Sequence, residues 1–348
     1  GEQGPSGIDF GVMGPTGPAG GFLNMPATQI VINDEMSTTR QLFSKNIPQP
    51  MYITDAPNGI LAVTNGYTSN DLVYTFGKSR NIIYSAIGGV ESGIGPLISR
   101  DMKNWSTPIS QSSNTPCRIV WDGVKWIMTQ NTNSALISYN DILFSAISTS
   151  DGVILSSIAK NTFMYVGIGK GGIFYSYDGL NWYNSSSGTS LINNSTATQV
   201  GKVIWNGSLW VAVGSGTSYT IAYSYDGINW TGLGSTIFDA SGLAVDWNGY
   251  IWLAGGRGTS NTLAYSSSSI GNSWTGLGKT TFTTATNSVK WMINKWVGAG
   301  LGGNTLAYST SNLATSWTSS PSSGIFSTSG NSLKWNGIIA LAGGTGGR

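Results

Sequence analysis

Val203-Ile204-Trp205-Asn206-Gly207-Ser208-Leu209-Trp210-Val211-Ala212-Val213-Gly214 and, a little further on, Ile221-Ala222-Tyr223-Ser224-Tyr225-Asp226-Gly227-Ile228-Asn229-Trp230 decide how this chain is read. Val203 to Trp205 is apolar and rich in β-forming residues. Asn206-Gly207 is a hairpin signal, because both residue types tolerate positive φ. Trp210 to Val213 is a second strand stopped by Gly214, and Ile221 to Ser224 a third. Tyr225 to Ile228 turns the chain, and Asn229-Trp230 opens a fourth. Four short antiparallel strands in about 40 residues make a unit of the size found as one blade of a β-propeller.

Most of the chain varies this unit. The first-strand Trp recurs as Trp121, Trp205, Trp247, Trp291 and Trp335, with last gaps of 42, 44 and 44 residues. The gap of 84 residues from Trp121 to Trp205 leaves room for one more unit. A second Trp follows five residues later, as Trp126, Trp210, Trp252 and Trp296. A third opens the outer strand, as Trp105, Trp182, Trp230, Trp274 and Trp317. These sets hold all 14 tryptophans, so the indoles belong to the scaffold as packing between sheets. A stacking platform for sugars or bases is the other use of such residues. In the hidden unit we assign Ile158 and Phe163 to the Trp positions, with Gly167 ending the strand; in the first, Tyr84 and Gly88 serve. Units then fall near 71–105, 117–144, 155–182, 203–230, 243–274 and 288–317. A seventh begins at Ser332 and has only two strands before Arg348. Met51 to Thr54 and Ile60 to Val63, around a turn at 55–59, are expected to complete it. Pairing the chain ends in this way leaves no open sheet edge. The expectation is an all-β, seven-bladed propeller over residues 51–348, closed by N-terminal strands.

Three units carry one heptad: Ser99-Arg100-Asp101-Met102-Lys103-Asn104-Trp105, Ser176-Tyr177-Asp178-Gly179-Leu180-Asn181-Trp182, and Ser224 to Trp230. A weakened copy retains Ser138, Asn140 and Phe144. The copies at Ser266–Trp274 and Ser309–Trp317 are two residues longer and lack the Asp. The heptad resembles the Asp box (BNR repeat) of sialidase-type propellers, Ser-x-Asp-x-Gly-x-x-Trp, here one residue shorter between Asp and Trp. Similar units occur in sortilin-like receptors and photosystem assembly propellers. A carboxylate in a tight turn accepts backbone N–H groups that otherwise go unpaired, so we read each box as a structural staple. Calcium or ligand binding is the competing reading, and the fold resemblance does not by itself imply catalysis.

Upstream, residues 1–20 run as Gly-x-y triplets interrupted once, at Phe10. Glycine at every third position is what a collagen triple helix demands at its axis, whereas a flexible Gly/Pro linker does not need the period. Six triplets are too few to hold three chains alone, so we expect more collagen upstream or a neighbouring domain that trimerises. Residues 21–50 form a neck with one strand at Thr28 to Ile32, punctuated by Pro26, Pro48 and Pro50. Asp34-Glu35 beside Asn33 reads as an exposed turn rather than a metal site. Because the chain starts at Gly1 instead of Met, a processed form or a fragment is expected. The stem together with Trp-Asn-Gly and Asp-box blades resembles surface proteins of giant DNA viruses and some phage and bacterial fibres. That resemblance implies a virion-surface or extracellular location and a homotrimer.

Composition sets bounds. Of 348 residues, 9 % are charged, and the formal net charge is +2. No pull toward nucleic acid or an anionic membrane is expected. No run approaches the length of a membrane span. Cys117, the single cysteine, cannot form an intrachain disulfide and reads as a small buried hydrophobe. Asn184, Asn194 and Asn229 lie in Asn-x-Ser/Thr sequences, acceptors if the chain passes a secretory pathway.

Chemistry is sparsely provided for. The chain has no histidine, which removes the usual proton shuttle, the Ser/His/Asp triad and most transition-metal sites. Its glutamates are Glu2, Glu35 and Glu91, and glycosidases need two facing carboxyls. Sialidases use three converging arginines with a Tyr/Glu pair. Arg80, Arg100, Arg118, Arg257 and Arg348 do not offer such a set. The glycines at 343–347 lack the Lys-Ser/Thr and helix of a phosphate loop. We expect no catalytic residues, no cofactor and no metal. Strand parity puts the Asn-Gly turns and Asp boxes at one end of the sheets and the longer, more varied loops at the other. A binding face is expected at the varied end, with Glu91, Asn131, Lys170, Tyr219, Arg257 and Asn304 as candidate contacts. The expected function is a non-enzymatic structural or adhesive surface or fibre protein. The alternatives are a lectin-like carbohydrate-binding module and a sialidase-type glycoside hydrolase.

Overall fold

The computed structural model describes residues 60–63, 69–75, 83–88, 97–99, 109–110, 116–121, 125–130, 134–139, 143–148, 153–193, 201–292, 294–320, 326–335 and 340–347. Side chains are described mainly from residue 153 onward. The stem, the neck, residues 51–59, Asp101, Trp105, Glu91 and Asn131 lie outside these residues.

The fold is all-β and repetitive. Strand β1 (Ile60–Val63) precedes a three-stranded sheet of β2 (Ser69–Thr75), β3 (Ile83–Gly88) and β4 (Leu97–Ser99). A short β5 (Ile109–Ser110) leads to β6 (Pro116–Trp121), β7 (Trp126–Gln130), β8 (Ser134–Ser138) and β9 (Leu143–Ser148), with β5 parallel to β9. Next come β10 (Leu155–Lys160), β11 (Tyr165–Gly169), β12 (Gly172–Ser176) and β13 (Tyr183–Asn184), then a six-residue helix α1 (Ser186–Leu191). Ser185 caps it by accepting the Gly188 N–H. The sheet of β14 (Lys202–Trp205), β15 (Trp210–Val213), β16 (Ile221–Ser224) and β17 (Thr231–Gly232) follows. After it come β18 (Ser241–Trp247), β19 (Trp252–Arg257), β20 (Leu263–Ser266) and β21 (Thr275–Gly276). The last full unit is β22 (Phe282–Met292), β23 (Lys295–Gly303), β24 (Leu306–Ser309) and β25 (Thr318–Ser319), and the chain ends with β26 (Phe326–Trp335) and β27 (Ala340–Gly347). Within each of these units consecutive strands pair antiparallel.

One register repeats throughout. A Trp near the end of the first strand faces a Trp near the start of the second: Trp121↔Trp126, Trp205↔Trp210 and Trp247↔Trp252 as the terminal pairs, and Trp291↔Trp296 one pair in from Met292↔Lys295. The second-strand residue in turn faces the Ser that ends the third strand, as Trp210↔Ser224 and Trp252↔Ser266. The indoles of the last three Trp–Trp pairs lie 4.9–5.2 Å apart and tilted or edge-on, the geometry their quadrupoles favour. Trp126, Trp210, Trp252 and Trp296 are fully buried.

Two expectations need correction. Asn206-Gly207 does not make a two-residue turn with both residues at positive φ. Gly207 alone does so, at +104°. Asn206 works through its side chain, whose Oδ1 accepts the Ser208 and Leu209 N–H groups, both at 2.9 Å. Asn161 and Asn248 do the same in their sheets. This also corrects the hidden unit. With Asn161 setting the turn, the pair that replaces Trp–Trp is Lys160↔Tyr165, not Ile158 and Phe163, and β11 runs on to Gly169. Phe163 sits in the turn itself.

The core lies between sheets. Val166, Ile168 and Ile173 of one sheet meet Val203, Trp210 and Ala222 of the next. Val211 and Val213 meet Val245, Trp252 and Ala254; Leu253 and Leu263 meet Val289, Trp296 and Ala307. First strands line up as neighbours: β2 beside β6, then β10, β14, β18, β22 and β26, and β26 beside β2. Strand β1 pairs in parallel with β27, Ala62 opposite Ala342, so the N-terminal strand covers an edge that the last sheet otherwise leaves open.

Candidate functional site

Antiparallel sheets of four strands have two ends. One holds the turns between first and second and between third and fourth strands. The other holds the loops between second and third strands and between sheets.

At the turn end the two Ser-x-Asp heptads among the described residues have one geometry. Ser176 Oγ donates to Asp178 Oδ1 at 3.0 Å and accepts the Gly179 N–H at 2.8 Å. Asp178 Oδ1 also accepts the N–H groups of Leu180 and Asn181 at 2.8 and 2.7 Å, and Oδ2 accepts Asn181 Nδ2 at 2.6 Å. Ser224, Asp226, Gly227, Ile228 and Asn229 repeat this with the same partners. Burial opposes ionisation of Asp178, but the donated bonds from Asn181 and Leu180 outweigh it and hold the carboxyl at about 2. Asp226 is lowered in the same way, its partial burial outweighed by Asn229 and Ile228. Glycine is needed after each Asp because φ is +77° at Gly179 and +75° at Gly227. The outer indoles close the turns: Trp182 and Trp230 are buried, and Trp230 Nε1 donates to Gly227 O at 3.1 Å.

In the two longer turns the added residues take over another task. Trp252 Nε1 donates to Ser269 O at 3.0 Å and Trp296 Nε1 to Asn312 O at 3.2 Å. Trp210, whose sheet has the shorter Asp turn, keeps its Nε1 buried without a partner. Ser99 ends β4 and Ser138 ends β8, in register with Ser176 and Ser224.

The turn end also carries most of the exposed aromatics among the described residues; Tyr183, 51 % exposed, lies instead on the outer strand β13. Phe163 is 80 % exposed and Tyr250 76 %, both in first-to-second turns. Tyr139, Tyr177 and Tyr225 are 61–63 % exposed, each directly after the Ser that ends a third strand. Tyr177 contacts Tyr175 edge-on at 5.9 Å, and Tyr225 contacts Tyr223 at 6.0 Å. Turns of neighbouring sheets abut: Asn206 Nδ2 reaches Ser269 O and Asn248 Nδ2 reaches Asn312 O. Sequence reasoning missed this set, because a solvent-facing Tyr reads like a packed one in a repeat where both recur.

At the loop end, Lys170 and Arg257 are exposed at the ends of β11 and β19. Tyr219 and Asn304 also lie there, but serve their own loops. The Tyr219 ring covers Gly232 so closely that a Cβ there would meet it at 2.4 Å. Asn304 Nδ2 donates to Thr281 O at 2.8 Å. The four residues come from four different sheets, and no hydrogen bond joins them among the described residues. Asp239 lies at the same end, lowered by the Thr259 hydroxyl and then its N–H, which ties an inter-sheet loop to the loop after β19.

Between the ends, a cavity of about 200 Å³ opens where the first strands β10, β14, β18, β22 and β26 converge. Lys202, Asp246, Asn287, Lys290, Asn331 and Lys334 are among its lining. Asp246, 7 % exposed, accepts Lys290 Nζ at 2.9 Å and the Trp291 N–H at 2.8 Å. Asn287 Nδ2 donates to Gly330 O at 2.9 Å. These bonds run from one sheet to the next, so polar side chains here fasten the sheets together.

No protein-family model matches the sequence, and no curated protein is similar to it. Solved structures do share the fold. The computationally designed Ika8 protein is 11 % identical, with 82 % of this chain and 84 % of that one covered, at a TM-score of 0.53. A chain of the Mitotic Checkpoint Complex is 13 % identical over 76 % of this chain and 80 % of its own, at 0.54. An extracellular domain from B. thetaiotaomicron is 11 % identical at 0.53, over 76 % of this chain and 34 % of its own. At such identity the likeness is one of β-rich architecture alone.

Proposed function

We propose that this chain is a non-enzymatic structural and adhesive surface protein, whose head displays a rigid recognition face. The head is a seven-bladed β-propeller of Asp-box blades closed by N-terminal strands. The collagen-like stem, residues 1–20, joins three copies, and the assembly sits on a virion or cell exterior. One observation carries the reading: the strongly exposed aromatic side chains among the described residues gather at one end of the sheets. Fold stability asks little of them there, since rings three-fifths or more exposed bury little apolar surface. Recognition does ask for them, since Tyr offers a broad apolar face and a hydroxyl at little entropic cost. The low charge of the chain fits a carbohydrate or cell-surface target better than a nucleic acid.

The test is binding of the purified full chain to intact cells, with light scattering for its mass. Saturable binding by a trimer, without turnover of a fluorogenic sialoside, is the expected outcome. Sialoside hydrolysis would move the chain to the sialidase-type alternative. A mass of one chain with the stem intact would remove the trimer.

A further inference from the structure

Tyr139, Tyr177 and Tyr225 occupy one register position in three successive sheets. Each follows a third-strand Ser that faces the first residue of the second strand: Ser138 faces Trp126, Ser176 faces Tyr165 and Ser224 faces Trp210. First strands β6, β10 and β14 of these sheets are consecutive neighbours. The turn does not require an aromatic there. The two longer turns have Ser267 and Thr310 at the same place. One exposed Tyr needs no explanation; three at one register position, all about three-fifths exposed, form an array with the interval of one sheet.

Phe163 adds to the array at a seam. Its turn neighbours the Tyr225 turn, where Met164 Cε would lie 3.2 Å from a Cβ placed on Gly227. Around the rings the side chains are amides and hydroxyls. Asn181 and Asn229 are exposed beside Tyr177 and Tyr225, and the carboxylates of Asp178 and Asp226 accept donors from their own turns.

We propose that this array is the stacking platform of a carbohydrate-binding site for an extended polysaccharide, which crosses successive sheets and rests a sugar face on each ring. This deepens the proposed function and rests on it. The spacing argues for a polymer. Neighbouring sheets stand about 10 Å apart, more than a single sugar ring spans, and protein hot spots instead cluster in one desolvated centre. Stacked bases would need a basic groove along the backbone, whereas Asp178 and Asp226 place negative charge beside these rings. Tyr rings offer C–H groups of a sugar an apolar face, with phenol and amide groups at hand for its hydroxyls.

The experiment uses the full chain. Pull-down on chitin and cellulose, and affinity electrophoresis in xylan, dextran and alginate, find the polysaccharide; calorimetry then follows an oligosaccharide ladder of that polymer. The expected result is affinity that climbs at least tenfold from the disaccharide to the octasaccharide. It falls by about tenfold for each ring removed in Tyr139→Ser, Tyr177→Ser and Tyr225→Ser. Melting temperature falls by a few degrees at most, since what each ring loses is an edge contact such as Tyr177 on Tyr175, and the variants stay folded. The pair Lys170→Ala and Arg257→Ala, at the opposite end, should bind as the parent does. Parental binding by the triple Tyr variant, or affinity indifferent to ligand length, overturns the platform. Loss in the Lys170/Arg257 variant instead moves the site to the loop end and leaves the adhesive reading standing. A parent that binds cells but none of these polysaccharides overturns the platform alone; one that binds neither overturns both.

Discussion

Asp178 shows how much one side chain is asked to do. It accepts four donors within its own turn, from Ser176, Leu180 and Asn181. Its carboxyl is held at about 2, below the ordinary carboxylate range near 3.9. A depressed pKa contributes stability that is fully present above the unfolded value and lost as pH falls through the folded one. Stability is therefore expected to hold above about pH 5 and to decline as pH drops from about 4 to about 2. Asp226, lowered likewise, acts in the same direction. Denaturant titrations across that range check this: Asp178→Asn should flatten part of the acid decline, and an unchanged profile would contradict the staple. Trp210 gives a second residue-scale prediction. Its Nε1 has no partner, whereas Trp252 Nε1 is bonded to Ser269 O. Trp210→Phe should cost packing alone, while Trp252→Phe also loses a hydrogen bond and leaves the Ser269 carbonyl only the longer one from Asn206 Nδ2. Chemical denaturation should find Trp252→Phe the more costly by about 1 kcal/mol.

The tryptophan pairs were legible in the sequence because a buried indole recurs at fixed spacing from its turn. The Phe163 error came from tracking aromatics alone. Asn161 carried the better signal, since the residue four places after Asn161, Asn206 or Asn248 opens the second strand. Exposure of Tyr139, Tyr177 and Tyr225 could not be read, because alternation along a short strand does not say how a turn residue leaves it.

At the scale of elements, each sheet is held to the next by apolar packing and a few polar ties near the first strands. Asp246 is the tie with most consequence, bonded to Lys290 and to the Trp291 backbone of the following sheet. Removing one member of a buried pair leaves the other uncompensated. Lys290 is one-third exposed, so water recovers part of that loss. Asp246→Ala should cost about 2 kcal/mol, and Asp246→Ala with Lys290→Met less than the sum of the single changes. A double-mutant cycle by thermal or chemical unfolding measures the coupling; additivity would mean the tie contributes nothing. Such a bond was invisible in the sequence. Asp246 and Lys290 hold equivalent positions in successive repeats, one before Trp247 and one before Trp291, and only the neighbouring of β18 and β22 gives that equivalence a meaning.

At the scale of the molecule, the repeats build an arrangement in which every first-to-second and third-to-fourth turn shares one end. That common end gathers Phe163, Tyr250 and the three tyrosines, though they lie far apart in the chain. The gathering follows from strand parity, and it puts the face proposed here opposite the end to which loop length pointed. Half of the candidates there that the structure describes, Tyr219 and Asn304, serve their own loops. A common face requires the sheets to keep a fixed order around the cavity, and that order requires the N-terminal strand to meet the last sheet. Ala62 and Ala342 are direct partners in that pairing. Cysteines at both, in a Cys117→Ser background, are close enough to bridge when neighbouring strands meet in register. The decisive measurement is the extent of this cross-link in the oxidised, monomer-resolved protein, with its melting temperature. A closed ring predicts near-complete intrachain linkage and a higher melting temperature than the reduced form. Free thiols at both positions in folded protein would contradict the ring, and with it the common face.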